Sequence, residues 1–254
     1  MKQFFIAAVT GLISLGAQAQ VSETRALREV TSIEVKNGIE VIYTQSDTLA
    51  LKIEADTPEN LYNIATDYKG NTLKIYIKDS DGPATMNAKA RVYVSQKNVS
   101  NFKASNAAIV RVNGVLNVSD ANVNLSSGAV LSAIVVSNGT FKIDVKSGSG
   151  FRGKITTNKL EANITSGSYM KITGTADAAE LYCSGGYLTA DKFVCNDADV
   201  WAQNASAVSI FTKNSIKTDV DTSSSITYYG EPAKTNLGTN TYAVKRDAYK
   251  LSLN

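Results

Sequence analysis

The chain of 254 residues contains no histidine, and that removes much of the chemistry it could otherwise carry. Ser-His-Asp and Cys-His nucleophile pairs need an imidazole base, and zinc sites that mix imidazole with thiolate need one as a ligand. Two cysteines, Cys183 and Cys195, are too few for an all-thiolate zinc or iron–sulfur site, and they form no C-x-x-C motif. Twelve residues apart, they read either as a disulfide of an exported chain or as reduced thiols, one of them buried as a small apolar residue. No metal or other cofactor is expected.

Acids and aromatic residues are the chemistry that remains. A glycosidase needs two carboxyl groups within about 5–10 Å of each other; the candidates here are Asp144 with Asp219, and Asp197 with Asp199. Tyr169 and Tyr187 are the candidate binding pair, because neighbouring exposed rings can take a sugar ring. Their competing role is to steady a sheet by cross-strand contact. Asn98-Val99-Ser100, Asn163-Ile164-Thr165 and Asn204-Ala205-Ser206 match the glycosylation pattern, which a chain rich in Asn and Ser produces by chance. Whether any of these groups meet depends on the elements that hold them.

Those elements show themselves as an internal repeat. Aligned on a Ser, or an Asn or Thr in its place, the rows are anchored at Ser105, Ser127, Ser147, Ser166, Ser184, Asn204 and Thr222, with spacings of 22, 20, 19, 18, 20 and 18. Four residues after each anchor stand Ile109, Leu131, Phe151, Met170, Leu188, Val208 and Ile226. Two before it stand Leu125, Val145, Ile164, Tyr182, Ala202 and Val220, with Lys103 breaking the first row. One after it stand Asn106, Gly128, Gly148, Gly167, Gly185, Ala205 and Ser223, and two after it the residue is always small. Side chains alternate faces along a strand, so anchor −2, anchor, anchor +2 and anchor +4 are expected on one inward face, with the anchor serines bonded to one another inside.

A repeat of this length without helical segments predicts an all-β fold: a parallel β-solenoid of about 20 residues per turn, stacked about 4.8 Å apart. Parallel crossovers are overwhelmingly right-handed, which sets the expected hand. Asp144 and Asp219 then lie four rows apart, roughly 20 Å, too far for paired catalysis. Asp197 and Asp199 share a strand face and read as solvated acids. Tyr169 and Tyr187 fall on adjacent rows of the outer face, whereas Trp201 reads as packed bulk.

The rest of the chain frames the repeat. Residues 1–19 have a Lys2 start, an apolar run from Phe4 to Leu15 and Ala17-Gln18-Ala19, the layout of a cleaved signal peptide. Residues 20–100 read as strands with one short helix at 58–64, supplying first turns or a cap. Residues 101–230 are the solenoid, and 231–254 a C-terminal cap or return strand. A net charge of +3 with lysines interleaved among acids gives no nucleic-acid stripe and no membrane patch. No later stretch is long and apolar enough to span a bilayer.

The order of Ile33-Glu34-Val35-Lys36-Asn37-Gly38-Ile39-Glu40-Val41, a strand–helix–strand segment, Ser-Gly rows and a closing Tyr229-Gly230-Glu231-Pro232 resembles the "putative auto-transporter adhesin, head GIN domain" family of exported Bacteroidetes proteins. Gly38-Ile39-Glu40 stands where that family has Gly-Ile-Asn. The resemblance implies a β-helical envelope protein, located in the periplasm, at the outer surface or outside the cell, with a suggested role in adhesion. The expected function is a non-catalytic surface that contacts glycan or an envelope or host protein. A carbohydrate-active β-helix enzyme and a structural periplasmic scaffold are the alternatives.

Overall fold

The computed structural model describes residues 21–78 and 90–248, so the expected leader lies outside the described residues. In chain order the strands are β1 (Val21–Arg25), β2 (Ser32–Val35), β3 (Glu40–Gln45) and β4 (Ala50–Ala55), then helix α1 (Pro58–Asn63). They continue as β5 (Ile64–Lys69), β6 (Thr72–Ile77), β7 (Ala90–Gln96), β8 (Asn101–Ala104), β9 (Ile109–Val118) and β10 (Ala121–Leu125). Next come β11 (Val130–Ser137), β12 (Thr140–Val145), β13 (Gly150–Thr165), β14 (Tyr169–Ser184), β15 (Tyr187–Gln203) and β16 (Ala207–Val220). The last are β17 (Ser225–Tyr229), β18 (Lys234–Asn236) and β19 (Val244–Arg246).

These strands form the parallel solenoid that the repeat predicts, with about eight turns of roughly 19 residues. Two ladders run along it. One passes through β6, β2, β8, β10, β12 and the C-terminal halves of β13 to β16, ending on β18. The other passes through β7, β3, β9, β11 and the N-terminal halves of β13 to β16, ending on β17 and β19. At the N-terminal end the pairing turns antiparallel: β4 adds to β7, β1 to β4, and β5 to β6. Helix α1 carries the chain from β4 to β5, and Thr57 caps it by accepting from the Asn60 amide at 3.1 Å.

The corner explains why the anchors must be small. Ser127 and Gly128, Ser147 and Gly148, and Ser166 and Gly167 are consecutive left-handed residues, with φ between 54° and 74°. Two such residues reverse the chain and aim amides along the stack: Gly128 N–H donates to the Ser147 carbonyl and Gly148 N–H to that of Ser166, each at 3.0 Å. The left-handed region penalises a Cβ, so Gly and short polar residues collect there. Asn37 and Gly38 take the same conformation, φ 62° and 69°, so the Asn-Gly-Ile run is the first corner of the coil, with Ile39 buried behind it.

The corner also corrects the expected inward face. Two left-handed residues interrupt the alternation, leaving the anchor and its successor exposed while −2, +2 and +4 point inward. The anchor serines therefore meet solvent and form no internal ladder. In the first row the corner is Asn106-Ala107, one residue later than the spacing suggested. Ala104, Ala108 and Val110 are the buried positions there, and Lys103 and Ile109 turn away from the core. In the fifth row only Gly185 is left-handed, and the corner is one residue shorter. That moves Tyr182 outward and puts Cys183 on the inward column between Ile164 and Ala202.

In the seventh row a carboxylate holds the corner. Asp221 accepts from the Asn204 amide at 2.7 Å and from the Ser223 amide and hydroxyl, each at 3.0 Å. The Asn204 amide first, then the hydroxyl of Ser224, lowers its pKa from 3.8 to about 2. A depressed carboxylate adds stability above its unfolded pKa, and that stability is lost as pH falls through the folded value. Asp221→Asn should therefore melt below the parent at pH 6, and the two curves should converge between pH 4 and pH 2. A gap unchanged with pH would show that the carboxylate charge is not what holds this corner.

Candidate functional site

Tyr169 and Tyr187 are where the repeat places them, on adjacent rungs of the outer face. Their rings stack at 5.5 Å between centroids and 13° between planes. The Tyr169 ring folds back over Gly150 on the preceding rung, where any Cβ would strike it. The Arg152 guanidinium lies 5.1 Å from that ring's centroid, and its Nε donates to the Tyr169 hydroxyl at 3.4 Å. Tyr169 is thus enclosed by its neighbours. Tyr187, 48% exposed, is followed by Ala207, and its ring offers the pair's open face.

Asp144 and Asp219 stay apart, whereas Glu161, Glu180 and Asp199 follow one another on consecutive rungs of a single column. Asp144, Asn163, Tyr182, Trp201 and Asp219 form one outward column in that order, so the two aspartates stand four rungs from each other. Asp197 accepts from the Ser215 hydroxyl at 2.5 Å, and Asp199 follows Glu180 in the neighbouring column. Lys159 bridges Glu161 and Glu180, each at 2.8 Å. These two carboxylates raise its pKa strongly, and it in turn lowers that of Glu161. Among the described residues no group of three metal-ligating side chains converges.

The same column holds a second aromatic pair, two of the four residues (with Tyr228 and Tyr229) that the sequence offered as a possible extension of an aromatic face. Tyr182 had been assigned inward and Trp201 to packing, yet both face outward on paired rungs. Tyr182 is 38% exposed, and Trp201 is half-buried. The shortened fifth corner hides this in the sequence: counting from Ser184 gives Tyr182 the wrong parity.

Both cysteines are free and buried. They lie in different inward columns near opposite corners of the coil. Cys183 stacks between Ile164 and Ala202, and Cys195 between Ala176 and Thr212. Burial pushes the Cys195 thiol up to about 12 and raises that of Cys183. Since the thiolate is the reactive form, iodoacetamide at pH 8 is expected to leave both residues unmodified in the folded protein and to alkylate both in denaturant. Rapid native labelling of either would contradict their placement.

The chain is thus a parallel coil with a filled interior, aromatic pairs on its outer faces and a carboxylate column beside one of them. Residues 29–232 match the family described as "Putative auto-transporter adhesin, head GIN domain", and the chain belongs to it. Solved structures share the fold. A "putative adhesin" from Parabacteroides merdae matches with a TM-score of 0.81 at 18% identity, covering 92% of this chain and 98% of that one. Another from Parabacteroides distasonis gives 0.81 at 18% identity, over 91% and 98%. A "putative lipid binding protein" from Parabacteroides distasonis gives 0.74 at 17%, over 92% and 98%. No curated protein matches the chain.

Proposed function

We propose that this protein is an exported, non-catalytic adhesin that presents its coil faces to glycan or protein at the cell envelope. The observation that carries this reading is the outward placement of aromatic residues on both ladders, on directly paired rungs of β14 and β15. Family membership supports it, as does the signal-like leader. Among the described residues no helix is long and apolar enough to cross a membrane. The coil interior is filled by side chains such as Phe141, Phe151 and Phe193, each 0% exposed, so a ligand of any class would lie on the outside.

The test is adherence of the purified, folded chain to host cells and to a glycan array, with polysaccharide breakdown followed alongside. Saturable binding without cleavage is expected. No binding to either surface would count against adhesion and favour a scaffold, which pull-down from the native envelope would identify. Release of reducing ends or unsaturated sugars would overturn the non-catalytic reading.

A further inference from the structure

The face built by the C-terminal halves of β13 to β16 carries a more specific arrangement than adhesion requires. Tyr182 and Trp201 stand on paired rungs, a step of about 4.8 Å. Along their own column Asn163 precedes them and Asp219 follows. Along the strands Glu180 and Asp199 stand two residues before them, with Ser184 and Gln203 two residues after, so each shares their outward side. A groove of about 280 Å³ opens beside the rings, over Lys142, Asp144, Glu161, Asn163 and Glu180. Neither the Tyr182 hydroxyl nor the Trp201 indole N–H has a protein hydrogen-bond partner among the described residues, although Tyr and Trp polar atoms usually find one when packed.

Two aromatic surfaces with unpartnered donors, rimmed by carboxylates and amides, suit a ligand that is apolar on its faces and rich in hydroxyls at its edges. A pyranose ring has that form: its C–H face lies on the aromatic plane, and its hydroxyls donate to carboxylate and amide oxygens. The rim also sets the charge. Asp144, Glu161 and Glu180 line the groove and Asp199 and Asp219 follow on the next rungs, five carboxylates against Lys142, which lies 3.7 Å from Glu161, and Lys159, which is engaged by Glu161 and Glu180. Lys217, on the rung of Asp219 two residues before it, is a third cation, which leaves the five carboxylates in excess. An acidic sugar would meet net repulsion here, weakened by salt because these groups face water.

We infer that Tyr182 and Trp201 form a stacking platform for neutral hexopyranosyl glycans, and that the carboxylate rim excludes uronic and sialic acids. This rests on the adhesin reading and names its ligand class. The test is titration of the folded chain with neutral cello-, manno- and galacto-oligosaccharides and with an oligoglucuronate of equal length, at low and high salt. At least one neutral oligomer should bind. The uronate should bind about tenfold more weakly or worse at low salt, with the gap narrowing at high salt.

Trp201→Ala and Tyr182→Ala should each lower neutral-glycan affinity about tenfold, as loss of an aromatic anchor does, while Tyr62→Ala, an exposed ring on helix α1 at the N-terminal end of the coil, should leave it unchanged. Asp219→Lys, at an exposed position without a partner, should narrow the discrimination against uronate and serves as the readout should an aromatic variant misfold. The inference is overturned if no neutral oligomer binds, if uronate binds as well as neutral sugar at low salt, or if only a lysine-rich peptide binds. Host-cell adherence of the Tyr182→Ala/Trp201→Ala double variant separates the two readings. Adherence at the parental level overturns this site and leaves adhesion standing, whereas failure of the parent itself to adhere removes adhesion.

Discussion

Phe151→Asp is expected to abolish the cooperative thermal transition of the coil. Phe151 is fully buried in β13 and lies in the inward column between Leu131 and Met170. Its ring meets Phe141 across the coil at 5.8 Å. Truncating a buried Phe costs about 3–5 kcal/mol through lost burial and the cavity left behind. A carboxylate placed there adds an unpaired buried charge, and no cation lines that column. The sum approaches the whole stability of an ordinary domain, about 5–15 kcal/mol.

A solenoid makes this worse, because each coil is held only by its neighbours. A failed rung exposes the edges of β11 and β14 as well. Tyr169→Ser is the control from the outer side of the next rung. It removes a stacked ring and the cover over Gly150, a loss of about 1 kcal/mol, and should lower the melting temperature by a few degrees with the transition intact. Equal effects of the two substitutions on circular-dichroism melts would show that the inward and outward faces are misassigned.

Much of this was written in the repeat. The constant step of the Ser-Gly rows implies parallel stacking, because only a coil returns equivalent residues to equivalent places. The apolar residues four after each anchor mark the core in six of the seven rows. What the spacing could not convey was local backbone conformation. Left-handed pairs at the corners displace the anchors outward, and a corner shortened by one residue inverts the parity of what precedes it. That inversion assigned Tyr182 an inward direction, and Trp201 was read as packed on the general expectation for a lone tryptophan, although both belong to the four residues able to widen an aromatic face. The first turns were expected in residues 20–100, but their corner was not matched to the repeat for another reason. β4 to β7 intervene between Asn37-Gly38 and Asn106-Ala107, so two equivalent corners stand far apart in the chain.

The same left-handed geometry sets up the second large effect, in which one substitution has two very different outcomes. Gly148 and Gly174 both have positive φ, +71° and +114°. A Cβ at Gly148 meets nothing within 4 Å, and Ala107 and Ala205 already occupy the matching corner position at φ 59° and 60°. Gly148→Ala should therefore cost only the left-handed penalty, about 1 kcal/mol. At Gly174 the conformation lies beyond the left-handed well that L-residues tolerate. A Cβ there would also press into the carbonyl oxygen of Ile155 on the neighbouring coil, with that residue's carbonyl carbon at 2.9 Å. Backbone cannot swing aside as a side chain can, so the coils must separate where β13 and β14 pair. Strain and overpacking together should cost about 3 kcal/mol or more. For a chain of this size that is a drop of roughly 6–12 °C in melting temperature, against roughly 2–4 °C for Gly148→Ala. Hydrogen exchange should place the added opening at β13 and β14 in Gly174→Ala and at the corner alone in Gly148→Ala. If both variants melted together, corner conformation alone would limit glycine replacement, and close coil-to-coil contact at Gly174 would not be a constraint on this fold.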